Sequence, residues 1–154
     1  MKSDVYIKSM MYANAVKLLS SYGVSTDVLD AYWEPHRFYH NWNHIESMLW
    51  DAKKQDILSE DLFLAILFHD IVYDPKASDN EEKSAQLFRE CFKAFDDENG
   101  NSRWTKVIQA ILDTKTHKAQ SEFSEKLCKL DLAILHSDFS SLMKFEEAIF
   151  KEYQ

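Results

Sequence analysis

The sequence predicts an all-α fold built as a helical bundle, and three observations carry that expectation. Only two glycines and two prolines occur in 154 residues, too few for the tight hairpin turns that an antiparallel sheet needs. Hydrophobic residues make up 45% of the chain and aromatic residues 14%, the material of a packed core and not of a disordered segment. Apolar residues also recur at helical spacing along most of the chain. One domain spanning 1–154 is expected, large enough to bury about two-thirds of its unfolded-chain surface. No internal repeat, low-complexity tract or interdomain linker divides the sequence.

Each element follows in order. Val5 to Ser21 has apolar residues at helical spacing and stops at Gly23, a natural C-terminal cap. Thr26 opens a short second helix, TDVLDAYWE, which Pro35 halts because the residue before a proline is pushed out of the helical region. In HRFYHNWNHIESMLWDA, Asn43 followed by Glu46 reads as a capping box, so a third helix is expected from His44, with His40 in the irregular approach. The next begins near Ser59 and runs through DLFLAILFHDIVY until Pro75 ends it. It is apolar on almost every side and is therefore expected at the centre of the bundle. A second capping box, Ser78 with Glu81, opens EEKSAQLFRECFKAF, whose stripe is Ala85, Phe88, Cys91, Phe92 and Phe95. The segment DDENGNS breaks the chain, and Trp104, Val107, Ile108, Ile111 and Leu112 mark another helix. After the polar stretch DTKTHKAQSE, two last helices fit FSEKLCKLDLAIL and DFSSLMKFEEAIFKEY.

Charge and cysteines narrow the function classes. A formal charge of −8 opposes sequence-independent binding to a nucleic-acid polymer, which relies on lysine and arginine displacing condensed counterions. A small anion held by a local cation remains compatible with it. Cys91 and Cys128 are too few and too unpatterned for a disulfide framework or a zinc knuckle, and they read as buried thiols in a reducing compartment. Asp4 and Lys8 interrupt the apolar run a signal peptide requires, and no segment reaches the roughly 18 apolar residues of a membrane span. A cytoplasmic protein without membrane attachment is the expectation.

The stretch FLAILFHDIVYDP carries the chemistry, because it puts His69 and Asp70 inside a run as apolar as a core helix. An ionised carboxylate there costs on the order of several kcal/mol unless something pairs with it, so a positive partner is expected. Histidine and carboxylate together suit a divalent metal of intermediate hardness. Four such groups stand where apolar residues would be expected: His44, His69, Asp70 and Asp131. Neighbours on a helix point about 100° apart, so His69 and Asp70 can share an ion between them, closed by His44 and Asp131 from adjacent helices.

The pieces RFYHNWNH, FHDIVYDP, DNEEKSA, ILDTKTH and DLAIL lie in this order within residues 30–153. Together they resemble the HD-domain superfamily of metal-dependent phosphohydrolases, and more fully a subgroup of predicted HD-superfamily hydrolases. The resemblance implies a bundle whose central helix carries His69-Asp70. It implies His44, His69, Asp70 and Asp131 as ligands of a divalent ion: manganese, iron, cobalt, nickel, zinc or magnesium. Members of the subgroup usually continue past the IFKEY segment with further helical sequence, whereas this sequence ends at Gln154. Leu142, Met143, Phe145, Ile149 and Phe150 then lack helices to cover them, and a two-fold homodimer is the expected answer.

Further residues have two readings each. Arg37, placed as in the family's R-x-Y-H, is expected to pair bidentately with a phosphate, or else to form a structural salt bridge. His40 is a substrate contact beside the metal or a satisfied loop histidine. His117 in TKTH is a second-metal ligand, a phosphate contact or an exposed loop histidine; Lys115 is a point charge for phosphate or a solvated lysine. Asp74, one helical turn after Asp70, is the first candidate for general acid or base, with Glu81 second; either serves otherwise as a helix cap. His36 and His136 carry no assigned role.

The implied reaction is metal-assisted hydrolysis of a phosphate ester or anhydride of a small molecule. Arg37 and Lys115 would neutralise phosphoryl charge while Asp74 manages the proton. A nucleotide is the favoured substrate, since Phe38, Tyr39, Trp42 and Tyr73 stand near the motif to stack on a base. Three rivals accompany it. HDIVYDP resembles the HD-x-x-E-D of alarmone hydrolases, although Tyr73 occupies the glutamate position. A di-iron oxygenase needs more extra histidines than His117 supplies. A metal-binding regulatory protein with reduced turnover is the non-enzyme reading.

Overall fold

Side-chain caps set most helix starts in the computed structural model, which describes residues 9–96 and 102–154. The α-helices are α1 (Met10–Ser21), α2 (Trp42–Lys54), α3 (Glu60–His69), α4 (Asn80–Phe92), α5 (Thr105–Asp113), α6 (Glu122–Asp131) and α7 (Phe139–Glu152). Short 3-10 segments cover Thr26–Trp33, Lys93–Phe95 and Ala133–His136, and no strand occurs among the described residues. Ser9, Ser59, Ser121 and Asp138 each accept a backbone N–H of the first turn of α1, α3, α6 and α7, satisfying donors that the helix leaves unpaired. Gly23 ends α1 at φ +70, and the N–H groups of Gly23 and Val24 return to the carbonyls of Ser20 and Leu19. Only glycine takes that left-handed backbone without strain. The expected stretch Val5–Lys8 and positions 97–101 of DDENGNS lie outside the described residues.

The expected central helix is central: every residue from Leu62 to His69 is buried, and α3 packs against α2, α4, α5 and α6. Phe68 meets Phe88 and Phe92 on α4, and Trp104 closes the same aromatic cluster at the start of α5. Helix α3 stops at His69, however, well before Pro75. Asp70 is its C-cap at φ −117, ψ 19. The reason is competition for the backbone: Arg37 takes the carbonyls of Asp70 and Ile71, and the Ser84 hydroxyl holds both the N–H and the carbonyl of Val72.

Both expected capping boxes are replaced. Asn41, not Asn43, caps α2, accepting the N–H of Asn43 at 3.1 Å, so the helix begins at Trp42. Glu46 accepts the Ser9 hydroxyl from α1 instead of reaching back. Trp42 is the residue that fixes this earlier start, because its buried ring stacks on Trp33 at 5.8 Å and meets the edge of Tyr12. In α4 the cap position is Asp79, which makes no side-chain cap bond, and Asn80 braces the preceding turn by bonding both the N–H and the carbonyl of Asp74. The second expected helix is a 3-10 segment, and the DLAIL end of the seventh leaves α6 at Asp131 to become 3-10 from Ala133.

Two features position the functional region. Asp113, buried at the end of α5, accepts from Gln109, from the backbone and side chain of Gln120, and from the Ser124 hydroxyl, which sets the TKTH turn between α5 and α6. Within that turn His117 sits left-handed at φ +55, its N–H on the Asp113 carbonyl at 2.8 Å. Helix α7 lies at the edge of the bundle with Phe139, Met143 and Phe150 exposed, while Leu142, Phe145 and Ile149 are half-buried. Asp113→Ala leaves the Ser124 hydroxyl and the Gln120 N–H without their acceptor. A loss of about 2–3 kcal/mol in urea unfolding is expected, and an unchanged midpoint would mean that the turn is held elsewhere.

Candidate metal centre

Four side chains converge from three helices. His44 comes from the first turn of α2, His69 is the last residue of α3, Asp70 follows it, and Asp131 is the last residue of α6. Each offers a ligand atom within 4.8 Å of those of the others. Asp131 Oδ1 lies 2.9 Å from His44 Nε2 and 3.3 Å from His69 Nε2, and Asp70 Oδ2 lies 3.4 Å and 3.0 Å from the same two nitrogens. His69 Nδ1 is 2.7 Å from the Ile66 carbonyl, which can only accept. Nδ1 therefore carries a proton, and Nε2 is the ring atom turned toward the cluster.

Whether a cation fits here is decided by Asp70. Its Oδ2 is buried and has no hydrogen-bond partner, because the nearby histidine nitrogens are close without being aligned. Two imidazole nitrogens and two carboxylates around one orphaned oxygen suit a divalent ion of intermediate hardness. Burial by itself would raise the Asp70 carboxyl, but the charges of His69 and His40 and the close approach of the His44 and His69 rings hold it far below the usual range. Asp131 is likewise held low against burial, by His117, His44 and His69. Burial works against protonating His44 and His69, yet the two aspartates raise both above the ordinary histidine value. The cluster demands positive charge, from protons or from an ion.

His117 joins this set from the α5–α6 turn. Its Nε2 is 2.7 Å from Asp131 Oδ2, so Asp131 divides its oxygens, one toward His44 and His69 and one toward His117. His40 stands alongside, half-buried, its ring 6.1 Å from that of His44. A cleft of about 340 Å³ opens beside His44 and is walled by Phe38, Tyr39, Asn41, Asn43 and Ile134. A larger cleft of about 560 Å³, between Lys17, Lys53 and Phe63, contains none of the clustered residues.

The structure does not place three of the expected site residues in the cluster. Arg37 is not turned toward a substrate: its side chain is fully shielded and every guanidinium N–H is engaged. Nε bonds Glu34 at 2.9 Å, Nη1 the carbonyls of His40 at 3.1 Å and Asp70 at 2.7 Å, and Nη2 the Ile71 carbonyl at 2.9 Å and Glu34 at 2.8 Å. Arg37 forms the salt bridge that is the second expectation, and it also clamps the backbone of a cluster residue. Asp74 is not one helical turn beyond Asp70, since α3 has ended; it is exposed on a turn and accepts the N–H of Lys76 at 2.9 Å. Lys115 is exposed and paired with Glu82 at 2.6 Å. Glu81 lies in the first turn of α4 beside Glu82, where acidic residues complement the helix dipole. Trp42 is buried and has no face for a base. His36 bonds the Tyr73 carbonyl at 2.8 Å.

Sequence reasoning missed Glu152. Its carboxylate is 4% exposed and is bonded to the backbone and side chains of the segment carrying His40. One signal was available: 145, 149 and 152 fall on one side of a helix, so Glu152 shares the inward face of Phe145 and Ile149. No family model, curated protein or solved structure matches this chain.

Arg37→Ala is expected to destabilise the fold by about 3 kcal/mol, because buried carbonyls lose charged donors and Glu34 loses its partner. Metal retention should fall with it as the Asp70 backbone loosens. Urea unfolding and metal analysis of the purified variant check both, and a stable, metal-retaining variant would return Arg37 to the substrate side.

Proposed function

We propose that this protein is a metal-dependent phosphohydrolase acting on a phosphate ester or anhydride of a small molecule, with a nucleotide as the favoured substrate class. The observation that carries the reading is the orphaned Asp70 Oδ2, 3.4 Å from His44 Nε2 and 3.0 Å from His69 Nε2, beside the carboxylate of Asp131. These residues would hold the ion. A divalent cation bound there supplies a water of lowered pKa and offsets charge on a phosphoryl oxygen.

The chain's own residues do the remainder. Asp70 and Asp131 stay ionised, and Arg37 fixes Asp70 from behind through its carbonyl. His117 holds the second oxygen of Asp131. The 340 Å³ cleft is of a size for one small ligand, with the exposed ring of Phe38 and the amides of Asn41 and Asn43 on its wall to meet a base. Tyr39 lines the same cleft and packs on His44 at 4.6 Å. Because Arg37 and Lys115 are both engaged, the ion and the histidines meet the phosphate charge without a free guanidinium. That same shortage favours one second reading, a metal-binding regulatory protein with reduced turnover. Cytoplasmic placement goes with the free thiols of Cys91 and Cys128, and no helix among the described residues is long and apolar enough to cross a membrane. A homodimer through the Phe139, Met143 and Phe150 face is part of the proposal, tested by light scattering.

Purified protein loaded with manganese, cobalt or zinc is expected to release phosphate from at least one member of a panel of nucleoside mono-, di- and triphosphates and alarmones. Asp70→Asn and Asp131→Asn should lose both metal and turnover, the latter by about a hundredfold or more. Bound metal with no turnover across the panel favours the regulatory reading, and a wild-type chain without metal overturns both.

Metal uptake should also depend on pH in a defined direction. His44 and His69 have raised proton affinities in the metal-free cluster, so protons compete with the ion from above the ordinary histidine range downward. Affinity for Mn²⁺ by calorimetry should be weaker at about pH 6 than at about pH 8, with protons released on binding. Equal affinities would place the ion elsewhere.

A further inference from the structure

Glu152 is a buried carboxylate for which the metal cluster gives no role. It ends α7, the helix whose opposite side faces solvent through Phe139, Met143 and Phe150. Its Oε2 accepts the N–H groups of three successive residues, Phe38 at 3.0 Å, Tyr39 at 2.9 Å and His40 at 2.9 Å. Its Oε1 accepts from His40 Nδ1 at 2.7 Å and from the Tyr73 hydroxyl at 3.0 Å. Burial opposes the charge, but His40 and these donors bring the carboxyl down to about 2, so near neutrality Glu152 has lone pairs only. The proton between them belongs to His40 Nδ1, which leaves the lone pair on Nε2.

The ring is fixed on its other sides as well. It stacks on Tyr73 at 4.1 Å and 21°, and Tyr39 packs edge-on at 5.1 Å. No protein hydrogen bond engages Nε2 among the described residues, and the ring stands 6.1 Å from that of His44. With Asp74 exposed on a turn, where it accepts the N–H of Lys76, the centre otherwise has no group assigned to carry a proton.

We propose that Glu152 is a positioning residue for His40: it takes the Nδ1 proton in a hydrogen bond, clamps the backbone of 38–40, and presents Nε2 at the edge of the metal cavity as a proton acceptor. The inference rests on the phosphohydrolase reading. As the water oxygen bonds to phosphorus, a water proton moves to Nε2. The bond from phosphorus to the leaving oxygen breaks, and the same proton passes to that oxygen, restoring the starting tautomer. Glu152 stabilises the imidazolium in between, the role of a carboxylate behind a catalytic histidine.

Glu152→Gln is the discriminating variant. Its amide oxygen still satisfies the three backbone N–H groups, while its NH₂ donates toward His40 Nδ1 and reverses the tautomer. In metal-free protein near neutrality, nitrogen-15 spectra of the imidazole should show Nδ1–H in the wild type and Nε2–H in E152Q. With Mn²⁺ bound, kcat of E152Q should fall by about a hundredfold, with KM, metal content and melting temperature unchanged. In a His40→Ala background the substitution should change kcat by less than about twofold. An Nε2–H wild type overturns the proposal, as does an E152Q defect that persists without His40 or comes with metal loss, the pattern of a structural clamp. If the tautomers behave as expected but the metal-loaded wild type turns over no phosphate ester, the hydrolase reading and the proton step fail together, and the assignment of Glu152 to His40 stands.

Discussion

Two carboxylates brought together inside an apolar bundle are the constraint on which the rest of this structure depends. Asp70 and Asp131 lie at the ends of α3 and α6, and each would repel the other and resist burial if left alone. Three histidines answer them, His44 and His69 toward both and His117 toward the outer oxygen of Asp131. The remaining orphan, Asp70 Oδ2, marks where the positive charge is incomplete. The four groups could hold an ion there, one divalent charge taking the place of protons that burial disfavours.

Beside the cluster, an irregular segment is made rigid without secondary structure. Residues 34–41 connect the 3-10 segment to α2 and have little repetitive hydrogen bonding of their own. Their unmet backbone groups are taken from two directions. Glu152 accepts the N–H groups of Phe38, Tyr39 and His40, and Arg37 donates to the His40 carbonyl. The same guanidinium reaches Asp70 and Ile71, so the approach to α2 and the exit from α3 are tied through one side chain. Buried donors and acceptors have to be paired somewhere, and here a cation and an anion pair them from outside the segment.

The same competition explains where helix reading from the sequence went wrong. The apolar run continues past His69, and periodicity alone extends α3 to Pro75. The helix ends because Arg37 and Ser84 offer the backbone of Asp70, Ile71 and Val72 better-placed partners than a further turn would. That early end turns the Asp70 carboxylate into the cluster and removes Asp74 to a surface turn. Likewise Asn41 and Asn43 are both acceptable caps, and the choice fell to Asn41 because Trp42 is needed in the core against Trp33 and Tyr12.

What the sequence determined by itself was set by local composition and period. Scarce glycine and proline with helical apolar spacing gave the all-α class, the all-round apolar run gave the central helix, and polar residues in apolar faces gave His44, His69, Asp70 and Asp131, which do converge. Tertiary structure alone decided the partners of Arg37 and Glu152. Arg37 bonds residues 33 and 34 positions away, and Glu152 bonds residues up to 114 positions away. A charged side chain carries no mark of whether it will meet solvent, a ligand or a distant stretch of backbone. Its role is fixed only when the chain has folded and the unsatisfied groups nearest to it are known.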